Sequence, residues 1–167
     1  MSGFFAALVP FTFGVIGVFL ANIPISLSGG HIPAPLLALM PVYFWCLVRP
    51  DLMPPAAAFA LGLMEDIFSG GPAGVWTLSF IAAYAVVDRQ RDTFAGLSGL
   101  GAILGFAAAM LIASGTAYIV VAIYYSHLPP VAPLIVQIAI TILFYIPAAA
   151  ILNRVHRRIV GPLRSDF

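Results

Sequence analysis

No lysine occurs in the 167 residues, and all seven basic positions are arginine. Six carboxylates oppose them, so charged residues are 8% of the chain against 62% hydrophobic, with a mean hydropathy of +1.09. A water-soluble domain with so little polar surface could not cover its core, and the solvent this composition fits is lipid. A net charge of +1 without lysine excludes the broad basic surface that nucleic acid requires. A single cysteine, Cys46, excludes a disulfide framework and a multi-cysteine metal site, and its apolar surroundings make it a small buried hydrophobe. No basic region precedes the first apolar run, which is longer than a signal-peptide core and has no evident cleavage site, so it is expected to remain as a span.

The few charges are confined to Arg49 and Asp51, Glu65 and Asp66, the stretch 88–92, and the tail from Arg154 onward. That clustering marks connections between membrane crossings. Roughly 20 apolar residues are needed to cross about 30 Å of hydrocarbon as a straight helix. On that rule the chain reads as one all-α integral membrane domain, residues 1–167, with about six transmembrane helices at residues 4–25, 33–48, 52–68, 75–87, 97–124 and 131–152. The second and third are short, and re-entrant segments are an alternative to full crossings there. With six crossings every arginine falls on one face, which the positive-inside rule makes cytoplasmic along with both termini. Aromatic residues near predicted helix ends, namely Tyr43, Phe44, Trp45, Trp76, Tyr84, Tyr124 and Tyr125, are expected at the headgroup level. No loop is long enough for an extramembrane domain.

Gly101, Gly105, Ala109, Ala113 and Ala117 recur every four residues, a spacing that lets another backbone approach closely. The ridge is expected to pack a helix of the same chain, with a partner-binding face as the alternative. Gly17 and Ala21 form a shorter ridge in the first helix. Glu65 and Asp66 border the hydrocarbon on the outer side, where a carboxylate faces a cavity, a polar partner or the interface rather than lipid. Gly62, one turn earlier, leaves room beside Asp66, and with Pro72, Gly74 and Trp76 it outlines an outward pocket. An ordinary hydrated helix end is the plainer reading. Arg49, Asp51, Asp88 and Arg89 lie in cytoplasmic loops, where pairing at a solvated surface is worth at most about 1 kcal/mol. The arginine tail can touch anionic lipid but mainly sets topology.

Gly96, Leu97, Ser98 and Gly99 match the GxSG of rhomboid-type intramembrane serine proteases, whose serine needs a histidine within hydrogen-bond reach. His127 belongs to the opposite end of the fifth predicted helix, and His156 lies in a solvated basic tail. His31 has no companion at metal-ligand spacing, and no Walker A or HExxH motif occurs. Neither catalysis nor a cofactor is expected.

The stretch Arg49-Pro50-Asp51, Gly62-Leu63-Met64-Glu65-Asp66, Gly71-Pro72-Ala73-Gly74, Leu78 and Asp88-Arg89 resembles the rod shape-determining protein MreD family. The motif-bearing part is about forty residues, and the hydropathy likeness runs through the whole chain. The resemblance implies a non-enzymatic inner-membrane member of the bacterial elongation machinery. It would bind the single-span protein MreC and work, directly or indirectly, with MreB, a RodA-type glycosyltransferase and a class B penicillin-binding protein in peptidoglycan synthesis. It also implies a fold similar to the S-component of energy-coupling factor vitamin transporters, with Gly62, Asp66, Pro72 and Gly74 shaping a pocket. Glu65 beside the family aspartate leaves open which acid has the family role. A vitamin-binding S-component is the alternative function.

Overall fold

The computed structural model describes residues 2–23, 33–95 and 100–160, all helix and connection with no strand among them. The helices are α1 (Ser2–Ala21), α2 (Leu39–Val48), α3 (Pro55–Ser69), α4 (Val75–Arg89), the short α5 (Arg91–Ala95), α6 (Leu100–Tyr125) and α7 (Val131–Val155), which runs on into a π turn over His156–Val160. His31 and the Gly96–Gly99 string lie outside the described residues.

The second helix begins later than the hydropathy suggests. Pro33 and Pro35 lack an N–H and cannot donate to a helical ladder, and helix starts only at Leu39. Its 10 residues reach about 15 Å, half of a hydrocarbon core. Non-helical backbone buried away from water needs internal partners. Here α7 supplies one for the buried Leu36 N–H, which donates to Thr141 Oγ1 at 3.1 Å, and at the exposed Ala34, Gln137 Nε2 donates to the carbonyl at 3.0 Å. Thr141 in turn donates to the Gln137 carbonyl at 2.7 Å.

One apolar core links the helices, through Val18 of α1, Trp45 of α2, Leu61 of α3, Phe80 of α4, Phe106 of α6 and Tyr145 of α7. Phe106 stacks on Tyr145 with ring centroids 4.0 Å apart, and Tyr43 meets both edge-on. Tyr43, Trp45 and Tyr84 are therefore core residues, which corrects their expected place at the headgroup level. Proximity to a helix end misled because the short α2 is enclosed by α1, α4 and α7. Tyr124 and Tyr125 are exposed.

The outer surface is apolar too. Phe59, Leu63 and Ile67 of α3, Leu104, Leu111 and Ile119 of α6, and Ile135, Leu143 and Ile151 of α7 are all exposed. α6, and α7 with its π turn, are each long and apolar enough to cross a membrane. Only 11% of the most apolar window of α7 is buried, so this helix turns its hydrophobic surface outward, unlike the core helix of a soluble protein.

Candidate functional site

The turn between α3 and α4 carries the densest polar structure among the described residues. α3 starts on Pro55, whose missing N–H is no loss in a first turn, and stops at Gly70, which takes the left-handed φ of +66°. Gly74 then precedes α4 at φ +96°, again a conformation that favours glycine. The first N–H groups of α4 have no partner inside their own helix, and the capping position is a glycine with no side chain to serve them. Asp66 serves them from the preceding helix. Its carboxylate accepts the N–H of Gly74 at 2.9 Å, of Trp76 at 2.7 Å and of Thr77 at 3.1 Å, and the Thr77 hydroxyl at 2.5 Å. A negative group here also faces the positive end of the α4 dipole.

Gly62 sits one turn before Asp66, and a Cβ on it would lie 2.7 Å from Thr77 Cα and 2.9 Å from the Trp76 carbonyl oxygen. The space expected beside Asp66 is thus occupied by the backbone of α4. Gly62, Asp66 and Gly74 come together in a helix clasp, so the room that Gly62 leaves is taken up by α4 rather than left open. Pro72 stays in the connecting turn, its carbonyl accepting the Val75 N–H at 3.4 Å.

Glu65 points elsewhere. It is 5% exposed, and its Oε1 accepts Asn22 Nδ2 of the α1 terminus at 2.9 Å. Asn22 also donates to the Val18 carbonyl at 2.9 Å. The other oxygen, Oε2, is buried without a hydrogen-bond partner among the described residues. The two neighbouring acids are thereby distinguished: Asp66 ties α3 to α4, and Glu65 ties α3 to α1.

Trp76, whose backbone takes part in the clasp, also lines a cleft of about 210 Å³ between α4, α6 and α7. Ala117, Tyr118, Pro130, Pro133 and Gln137 are among its other lining residues. Two of its polar groups are already bonded within the chain, Tyr118 Oη to the Pro129 carbonyl at 3.2 Å and Gln137 Nε2 to Ala34.

The small-residue ridge faces inward. Gly105, Ala109, Ala113 and Ala117 are buried and Gly101 is half-buried. α6 packs chiefly on α4, with Ala109 beside Ala83 and Val87, and Ala117 beside Val75 and Trp76. In α1, a Cβ on Gly17 would lie 2.9 Å from the Ala38 backbone, so this position too is filled from within the chain.

At the opposite end of the bundle the arginine-bearing ends of α2, α4 and α7 gather. Phe44 meets the ring of His156 at 6.3 Å, and α5 packs on α2. Arg49 grips Asp51 with two bonds, Nε to Oδ1 at 2.9 Å and Nη2 to Oδ2 at 2.8 Å. That guanidinium holds the Asp51 carboxyl below the usual carboxylate range. Asp88 and Arg89 close α4 rather than forming a loop, and Asp88 faces Arg91 at 3.8 Å. Among the described residues no three His, Cys, Asp or Glu side chains gather as a metal site would need.

Among the described residues the fold is all helix with an apolar exterior and two helices long and apolar enough to cross a bilayer, the class of a helical membrane protein, and its polar cluster at the α3–α4 turn joins helices. Comparison with known families then gives its kind: residues 1–155 match the rod shape-determining protein MreD, and the chain belongs to that family. Its role lies in the determination of rod shape. No curated protein and no solved structure matches it in the corresponding searches.

Proposed function

We propose that the chain is a non-enzymatic scaffold of the bacterial elongation machinery that binds an MreC-type single-span protein and so supports peripheral peptidoglycan synthesis and cell-shape control. It lies in the inner membrane, crosses it six times with both termini in the cytoplasm, and shares the helical arrangement of transporter S-components. MreB, a RodA-type glycosyltransferase and a class B penicillin-binding protein are its direct or indirect associates. The observation that carries the reading is the family match over residues 1–155. The collected arginine-bearing helix ends agree with a single cytoplasmic face, and the apolar helix faces left exposed are available to a partner's transmembrane segment.

Co-purification with the MreC-type protein tests it. The complex is expected from wild type, and weakened by at least one of Gly105→Leu, Asp66→Ala and Pro72→Ala. An intact complex in all three means that these regions do not shape the contact, and no complex with wild type overturns the reading.

The cleft beside Trp76 favours a second reading, a vitamin-binding S-component. Such a site needs several polar groups converging on a small ligand, and Tyr118 and Gln137 are already bonded within the chain. Thermal stabilisation of the purified protein by a member of a vitamin panel would favour this reading over the scaffold.

A further inference from the structure

The cytoplasmic pairs treat arginine in two ways. Arg49 and Arg91 each have an aspartate, Asp51 and Asp88. Arg154, Arg157 and Arg158 are exposed and have no acidic partner among the described residues. Arg157 and Arg158 follow Arg154 by three and four residues, so both flank it at the end of α7, where like charges repel one another. The negative end of the α7 dipole is equivalent to about half a charge and offsets only part of three. Together with Asn153 and Ala150 they line an open polar cleft on the surface of this one helix end. The cleft thus holds a concentration of positive charge that the described chain leaves uncompensated.

Leu143, Pro147, Ala150 and Arg154 follow one another at helical spacing, and all four are exposed. Leu143 is 65% exposed, and Ile146 and Ile151 flank the strip at 50% and 57%. The buried side of α7, marked by Thr141, Tyr145 and Leu152, faces the other way. An apolar track therefore leads along the outer surface of a membrane-crossing helix directly to the arginine cleft.

We infer that this end of α7 is a seat for an anionic phospholipid, its headgroup phosphate held by Arg154, Arg157 and Arg158 and an acyl chain lying along Leu143, Pro147 and Ala150. Guanidinium groups suit the task because their planar forks match phosphate oxygens in pairs. Asn153 adds a carboxamide donor. The strip that α7 turns outward to the bilayer ends at these arginines, so the anion nearest to them is a headgroup of that bilayer.

Native mass spectrometry of the detergent-solubilised protein, titrated with phosphatidylglycerol or phosphatidylcholine, tests the seat. Wild type is expected to retain phosphatidylglycerol on the order of a hundredfold more tightly, given the attraction that each of three arginines supplies near an anionic headgroup. The triple variant Arg154→Gln, Arg157→Gln, Arg158→Gln should lose that preference, while Arg91→Gln should keep it. Should the triple variant fail to fold, Arg157→Gln and Arg158→Gln singly, both beyond the last core residue Leu152, should each reduce it. Equal retention of the two lipids by wild type, or an undiminished preference in the arginine variants, overturns the proposal. Displacement of the lipid by millimolar inorganic phosphate, with glycerophosphate binding as tightly as the full lipid, assigns the cleft to a soluble anion and overturns it equally.

Discussion

Asp66 holds Thr77 twice, through the backbone N–H at 3.1 Å and the hydroxyl at 2.5 Å, across ten intervening residues. One turn back, Gly62 gives that same residue the room to come so close. The two helices are therefore fixed at two levels, once by a carboxylate that serves an uncapped helix start and once by the absence of a side chain.

A methyl group at position 62 meets backbone atoms, which cannot swing aside as a flexible side chain would. Gly62→Ala is expected to destabilise the protein by about 1–3 kcal/mol, the usual penalty for overpacking. Gly115→Ala, with nothing within 4 Å of the added carbon, should be neutral or slightly stabilising. Thermal unfolding of the two variants in the same detergent checks the contrast.

Glu65 buries a carboxyl with one oxygen unserved among the described residues, an arrangement that destabilises a fold unless a function retains it. Glu65→Gln keeps an acceptor for Asn22 and removes a group whose ionisation burial opposes, so its melting temperature should equal or exceed that of wild type. If the acid serves partner binding or shape control, this stable variant will fail to restore rod shape in cells lacking the native protein. A lower melting temperature would show that the carboxylate itself holds α1 to α3.

Thr141 supports the irregular stretch before α2 by accepting the Leu36 N–H. Thr141→Val preserves shape and removes that acceptor, leaving a buried donor alone at a loss of about 1–3 kcal/mol. Thr141→Ser should retain most of the stability, and equal melting of the two variants would mean that the bond contributes nothing.

The Arg49–Asp51 pair gives a pH dependence of known sign. Because Asp51 titrates below its ordinary range when folded, the pair contributes above the usual carboxylate range, and that contribution is lost as pH falls through the lowered value. The carboxylate is 45% exposed, so the effect is small, about 0.2–1 kcal/mol. Asp51→Asn should melt slightly below wild type at neutral pH, and the difference should vanish at strongly acid pH.

Much of this architecture could be read from the residues. The four-residue repeat from Gly101 to Ala117 announces close packing of a helix, and the structure puts its buried members against α4. Asp66 at the edge of the hydrocarbon calls for a polar partner, but the residue types do not say that the partner is the start of the next helix. That depends on how the turn with Gly70 and Gly74 folds back, a non-local geometry. The available hint was an acid before a glycine-rich turn and a helix with no capping side chain of its own. Thr141, a polar residue inside an apolar run, is a similar signal of buried backbone needing a partner. Trp45 and Tyr43 are buried where hydropathy alone puts an interfacial belt, because hydropathy does not distinguish a helix facing lipid from a short one enclosed by its neighbours.

Amide hydrogen exchange at Trp76 and Thr77, compared between wild type and Asp66→Asn, tests most directly whether Asp66 works from inside the fold rather than toward a ligand. The clasp predicts exchange at least tenfold faster across the first turn of α4 in the variant, with the middle of α6 unchanged. Unaltered protection at those amides would contradict it.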